Sequence, residues 1–152
     1  MVREESGVVG IVITVTSDLK RLTFTYIDGD RTIDVQCLIR DHTNPPDAHP
    51  ENANSSPYPG FYQPVPFPSG RWVVMEIWPN DEPYTAPFFI GTNAHQSVTC
   101  FDGTVVEDYG YGIHHSTSQT TWGCLMVPSE TDLRWLVSCT RVGDVLVVEA
   151  KA

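Results

Sequence analysis

"VVGIVITVTSDLKRLTFTYIDGDRTIDVQCLI", residues 8 to 39, carries its apolar and polar side chains at a period of two. Val, Ile, Leu and Phe alternate with Thr, Lys, Arg and Asp, and β-branched residues dominate. A helix would bring apolar positions round every 3.6 residues, whereas alternation paints one face of a half-buried strand. We therefore read strands over 8 to 16, 21 to 27 and 31 to 39, with Asp28-Gly29-Asp30 as the turn of an N-terminal hairpin or meander. The same vocabulary returns in "GRWVVMEIW", "APFFIGT" and "SVTCFDG", and in a closing strand over 143 to 150. The expected class is mostly β.

One helix interrupts this pattern. In "PSETDLRWLVSCTRVGD", Ser129 is placed to cap, Asp132 follows three residues on, and Leu133, Leu136 and Val137 share a face. Arg141 lies near the expected end and Gly143 is read as the stop. Residues 41 to 68 hold eight of the twelve prolines and read as a long loop, either a substrate-facing lid or a solvated excursion.

The bulk numbers bound the rest. A chain of 152 residues, 41% hydrophobic and 11% aromatic, suits one globular domain spanning 1 to 152. Its net charge of -10 repels phosphate backbones, so nucleic acid is not an expected partner. No apolar run is long enough to span a membrane, and "MVREESG" does not read as a signal peptide, so synthesis in the cytoplasm is expected. The four cysteines, Cys37, Cys100, Cys124 and Cys139, form no CxxC pair, against both a zinc ribbon and a disulfide framework. Cys100 and Cys139, with Trp72, Trp78 and Trp135, are expected in the core, and His42, His49 and His95 in solvated positions.

Chemistry concentrates in "GYGIHHSTSQTTWGCLMV", residues 110 to 127. A nucleophilic thiol needs an imidazole nearby, a third group to hold that imidazole, and backbone donors facing the developing oxyanion. His114 precedes Cys124 by ten positions, close enough for two neighbouring strand ends, and Gly123 leaves room for a substrate carbonyl. Zinc on His114, His115 and Cys124 is disfavoured, because adjacent strand residues point to opposite faces; no metal is expected.

"GIHHST", "TWGCLMV" and "PSETDLRWLVSCTRVGDVLVVEA", with "FPSGRWVVMEIW" upstream, resemble the catalytic end of the L,D-transpeptidase (YkuD-like) domains over roughly residues 65 to 150. The resemblance implies a β-sandwich or barrel with one short helix after the catalytic cysteine. It implies Cys124 as nucleophile, His114 as base and later acid, and His115 as the residue whose backbone carbonyl orients the imidazole. It places Gly123, Thr121, Trp122, Ser116 and Tyr111 at the oxyanion and substrate positions. The reaction implied is acyl transfer on peptidoglycan stem peptides: Cys124 attacks the L-centre carbonyl of diaminopimelate, and amine or water resolves the thioester, without a cofactor. Trp122 stands where the family has His, Met126 where it has Asn or Arg, and six residues separate His114 from Thr121 where the family has about twice as many. Shortened forms of this kind look like phage- or effector-associated relatives, which would reach the wall by lysis, particle delivery or dedicated secretion. The alternatives are a catalytically silent wall-binding or structural module on the same fold, and a cysteine peptidase for a non-wall amide. A thiol reactive well below ~8.5 is the expected mark of the catalytic reading.

Overall fold

The computed structural model describes residues 12 to 26, 29 to 38, 65 to 79, 87 to 100, 103 to 115 and 123 to 150. The strands are β1 (Val12–Val15), β2 (Arg21–Tyr26), β3 (Gly29–Asp34), β4 (Gly70–Pro79), β5 (Phe88–Thr92), β6 (Gln96–Thr99), β7 (Val105–Asp108), β8 (Gly112–His114), β9 (Leu125–Met126) and β10 (Val145–Val148). A single helix among the described residues, α1 (Glu130–Cys139), lies between β9 and β10. The fold is mostly β.

Eight strands form one sheet in the order β3-β2-β1-β10-β4-β5-β8-β9, and β6 pairs with β7 in a separate hairpin. The first three strands are the expected meander, with Phe24 opposite Ile13 and Thr23 opposite Thr32, but Gly29 and Asp30, read from the sequence as turn, already pair with Tyr26 and Thr25 as the start of β3. β10 then inserts beside β1, running parallel to it, so the last strand in sequence becomes central in space. At the far end, Gln36 N–H donates to the Met126 carbonyl at 2.8 Å and Met126 N–H to the Gln36 carbonyl at 2.7 Å. The segment after β3 thereby meets β9, and the sheet curls until its two ends touch. Closure removes the exposed edge that β9 would otherwise present.

Alternation selects the inner face. Ile13, Leu22, Phe24, Ile90, Ile113 and Leu125 are fully buried, and Leu133 and Leu136 of α1 pack onto the same core. Burying each such side chain contributes roughly 1.5 to 3 kcal/mol before entropy is set against it.

The helix begins where expected, with the Ser129 hydroxyl accepting from Asp132 N–H at 3.1 Å. Its end differs from the sequence reading. Thr140 caps it in extended backbone, and Gly143 (φ +98°) serves the turn into β10 instead. Asp144, fully buried, supplies the reason: its carboxylate accepts from Arg141 N–H at 2.8 Å, while its backbone and that of Gly143 bond to Val74 of β4. A capped turn locked to the sheet ends the helix before glycine is needed.

Of the Pro-rich stretch, residues 41 to 64 lie outside the described residues; at its end Phe67 is 3% exposed and packs in the core. Cys100 and Cys139 are buried. Trp72 donates to the Pro68 carbonyl, and Trp135 meets Phe24 edge-on beneath the Arg31 guanidinium. His95 is exposed but engaged, 2.8 Å from Glu107 Oε2 and stacked on Tyr109. His42 and His49 lie outside the described residues. No helix among the described residues is long and apolar enough to cross a membrane.

Candidate active site

β8 and β9 run parallel, with Ile113 opposite Leu125 and His114 opposite Met126. Ile113 and Leu125 face the core, so the alternate residues Gly112, His114 and Met126 face the other side. Cys124 lies one residue before β9, its thiol hydrogen-bonded by the Gly112 backbone. Register therefore lays the end of β8 that carries His114 alongside the strand that Cys124 immediately precedes.

His114 is 5% exposed. Phe89 lies opposite it in β5, ring stacked at 5.8 Å and 15°, and Trp78 stacks on Phe89 at 4.9 Å. The His114 Nδ1–H donates to the His115 carbonyl at 3.0 Å, which fixes the tautomer and leaves Nε2 as the acceptor. Burial pulls the His114 pKa below its ordinary 6.5; the His115 carbonyl bond pushes the other way and the His115 side chain adds to the lowering. The imidazole is neutral at neutral pH, the state a base requires.

The thiol is biased the same way. Burial pushes Cys124 up to about 12, a hydrogen bond from the Gly112 backbone opposes this, and Cys37 and Asp108 reinforce it. Its sulfur lies 3.7 Å from the Gly110 carbonyl, a weak thiol donation, and the residue keeps some solvent exposure. The resting pair is thus thiol and imidazole, not thiolate and imidazolium. The low-pH reactivity expected from the sequence is not what this geometry provides. Alkylation of Cys124 by iodoacetamide should instead be slow at pH 7 and keep climbing beyond the ~8.5 of a free thiol. Mass-mapped labelling against pH measures this, and a plateau below pH 8 would refute the neutral pair.

Gly123 shapes the turn that presents the sulfur. Its φ of +119° suits glycine, and a Cβ there would stand 2.6 Å from Tyr111 Cε1 and 2.7 Å from the Val65 carbonyl oxygen. Tyr111 lies beneath this turn, 2% exposed and edge-on to Phe67 at 5.6 Å. Its hydroxyl donates to Asp108 Oδ2 at 2.6 Å and accepts from Gln96 Nε2 at 2.9 Å. Tyr111 is therefore a buried prop for Gly123. The Cys37 thiol donates to the Gly123 carbonyl at 3.4 Å from the strand segment beyond β3. His115 is tied down separately, its Nδ1–H donating to the Val127 carbonyl at 2.8 Å. Ser116, Thr121 and Trp122 lie outside the described residues.

Four contributors escaped the sequence reading: Phe89 on the imidazole, the Gly112 N–H and Gly110 carbonyl at the sulfur, and Asp108 behind Tyr111. Gly112 had one visible signal, a glycine in a buried strand. A Cβ on it would collide with Phe89 Cζ and stand 2.6 Å from the Ile90 carbonyl oxygen.

Solved L,D-transpeptidases share this fold. The chain is similar to a variant of the helical cell shape determining protein Pgp2 from Campylobacter jejuni, with TM-score 0.59 and 16% identity over 94% of this chain and 48% of that one. It is similar to an L,D-transpeptidase from Stackebrandtia nassauensis, with TM-score 0.51 and 13% identity over 98% and 58%. A third likeness is to an L,D-transpeptidase from Xylanimonas cellulosilytica, with TM-score 0.50 and 17% identity over 95% and 63%. The chain spans less than two thirds of each of these structures. No protein-family model and no curated protein matches the sequence. The class this defines is a mostly β, L,D-transpeptidase-like fold, with His114 closing β8 and Cys124 directly before β9.

Proposed function

We propose that the protein is a peptidoglycan-directed cysteine acyltransferase or peptidase. The observation that carries this is the His114 Nδ1–H bond to the His115 carbonyl, which leaves Nε2 as the acceptor at the end of β8, alongside the strand that Cys124 precedes. In this reading Cys124 Sγ attacks the L-centre carbonyl of diaminopimelate in a stem peptide while its proton passes to His114 Nε2. The amides of Gly123 and Cys124 receive the oxyanion. His114 returns the proton to the leaving amine as the C–N bond breaks, and a thioester remains on Cys124. An amine then takes the acyl group, making a new amide, or water does, trimming the stem. No cofactor enters these steps. Ser116, Thr121 and Trp122, on the segment between the two reacting residues in sequence, complete the substrate-binding residues of the proposal.

Purified muropeptides incubated with the wild type and with Cys124→Ala, read by mass spectrometry, test it. Loss of a terminal D-residue, or its exchange for an added D-amino acid, with the wild type alone is the expected result. The upward push on the Cys124 thiol favours a second reading, a silent wall-binding or structural module. Unchanged muropeptides with both proteins, together with retained binding to purified wall, would establish that reading instead.

A further inference from the structure

Every acyl donor offered to Cys124 meets an electrostatic field built by the charged side chains around it. From residue 72 to residue 133, the span that contains His114 and Cys124, there is no Lys or Arg, while eight acidic side chains occur. Position 126, next but one after Cys124, is Met. Of the cationic side chains among the described residues, Arg21, Arg31 and Arg134 are each engaged by a carboxylate, Asp34, Asp132 and Glu130.

Asp108 is the acidic group built into the site. It closes β7, its Oδ2 accepts the Tyr111 hydroxyl at 2.6 Å, and the Tyr111 ring supports Gly123 immediately before the nucleophile. Two residues beyond Asp108, the Gly110 carbonyl lies against the Cys124 sulfur. Its carboxylate is among the groups that act on the thiol. The same hairpin adds Glu107, held by His95 and by the Ser97 hydroxyl at 2.8 Å each, and the 64% exposed Tyr109 ring. His95 stacks on one face of the Tyr109 ring, and the ring's exposed part, beside carboxylates, suits an ammonium group better than an anion.

We propose that Asp108 is a specificity-determining residue: the site accepts acyl donors that are cationic or have their carboxylate masked as an amide, in preference to carboxylate-terminated ones. This rests on reading Cys124 as the residue that takes the acyl group.

The test reads the field at the sulfur directly. Two methanethiosulfonate reagents of similar size, one bearing a trimethylammonium and one a sulfonate, are reacted with the whole protein, and modification of Cys124 is followed by mass mapping. In each reaction the Cys124 thiolate attacks the reagent's sulfur, forming a disulfide and releasing methanesulfinate. After normalisation to glutathione, the cationic reagent should be faster by roughly five- to ten-fold at low ionic strength, shrinking as salt is added. Asp108→Asn keeps an acceptor for the Tyr111 hydroxyl and should bring the ratio towards one, and the salt titration of the unaltered protein stands independently of that variant. A ratio of one or below in the wild type overturns the proposal. A matched peptide pair, ending in a D-alanine carboxylate or its amide, separates the two readings. A charge preference at Cys124 with no acyl-enzyme on either peptide defeats the nucleophile reading alone. Acyl-enzyme forming equally from both defeats the specificity alone.

Discussion

Replacing His114 by Gln should lower acyl transfer by roughly 100- to 10,000-fold while leaving the fold intact, the range expected for loss of a positioned proton carrier. The residue sits at the end of β8 with its Nδ1–H committed to the His115 carbonyl and Phe89 stacked on its ring, so Nε2 alone is left for proton transfer. Gln can occupy the same slot between Phe89 and the strand but cannot shuttle a proton. The pH dependence of the wild type follows from the signs of the two shifts. Burial depresses the pKa of His114, so the neutral base persists down through pH 6.5, and the rate should fall only as pH drops through that depressed value. Cys124 is pushed up to about 12, so the thiol keeps its proton on the alkaline side. A broad plateau from near neutrality into the alkaline range is expected. Steady-state rates on a stem-peptide substrate across pH, for the wild type and His114→Gln, provide the measurement. A narrow bell centred near pH 7 would show that attack begins from an ion pair.

Gly123→Ala should cost about 2 to 5 kcal/mol of stability, combining a backbone conformation that L-residues avoid with overpacking against a buried ring. Neither contact can relax cheaply. Tyr111 is pinned by Asp108, Gln96 and Phe67, and the Val65 oxygen belongs to the backbone. Urea denaturation of the two proteins should show a lower midpoint with little change in slope. The same variant should alter the alkylation rate of Cys124, because the turn that aims the sulfur is the one being strained. A variant with wild-type stability would mean that the turn at Gly123 yields more readily than these contacts allow.

Much of the fold could be read from residues 8 to 39, because period-two alternation is a local signal and the meander is a local structure. The start of α1 was likewise visible, since a cap hydroxyl and the N–H it serves are three residues apart. The end of α1 was not. Gly143 looked like the stop, yet buried Asp144 ties the turn to Val74, some seventy residues away in sequence. The site divides along the same line. His114, Cys124 and Gly123 announced themselves by residue type and spacing. Phe89, Gly112 and Asp108 did not, because an aromatic in a strand, a glycine in a strand and an acid at a strand end carry no chemical label until something is packed beside them.

By itself, the sequence determined the strand vocabulary, the position of the helix, and the charge of the long cation-free span around the candidate nucleophile. These depend on side-chain identity and near-neighbour order, which folding does not change. Long-range pairing, which only the tertiary structure decided, makes the last strand central, joins Gln36 to Met126 at the ends of the sheet, and lays His114 alongside the strand that Cys124 precedes. Each is a matter of register between segments distant in the chain, where a shift of one residue would turn every side chain to the opposite face. The protonation state of the pair belongs there as well, since burial, and not residue type, holds both groups neutral.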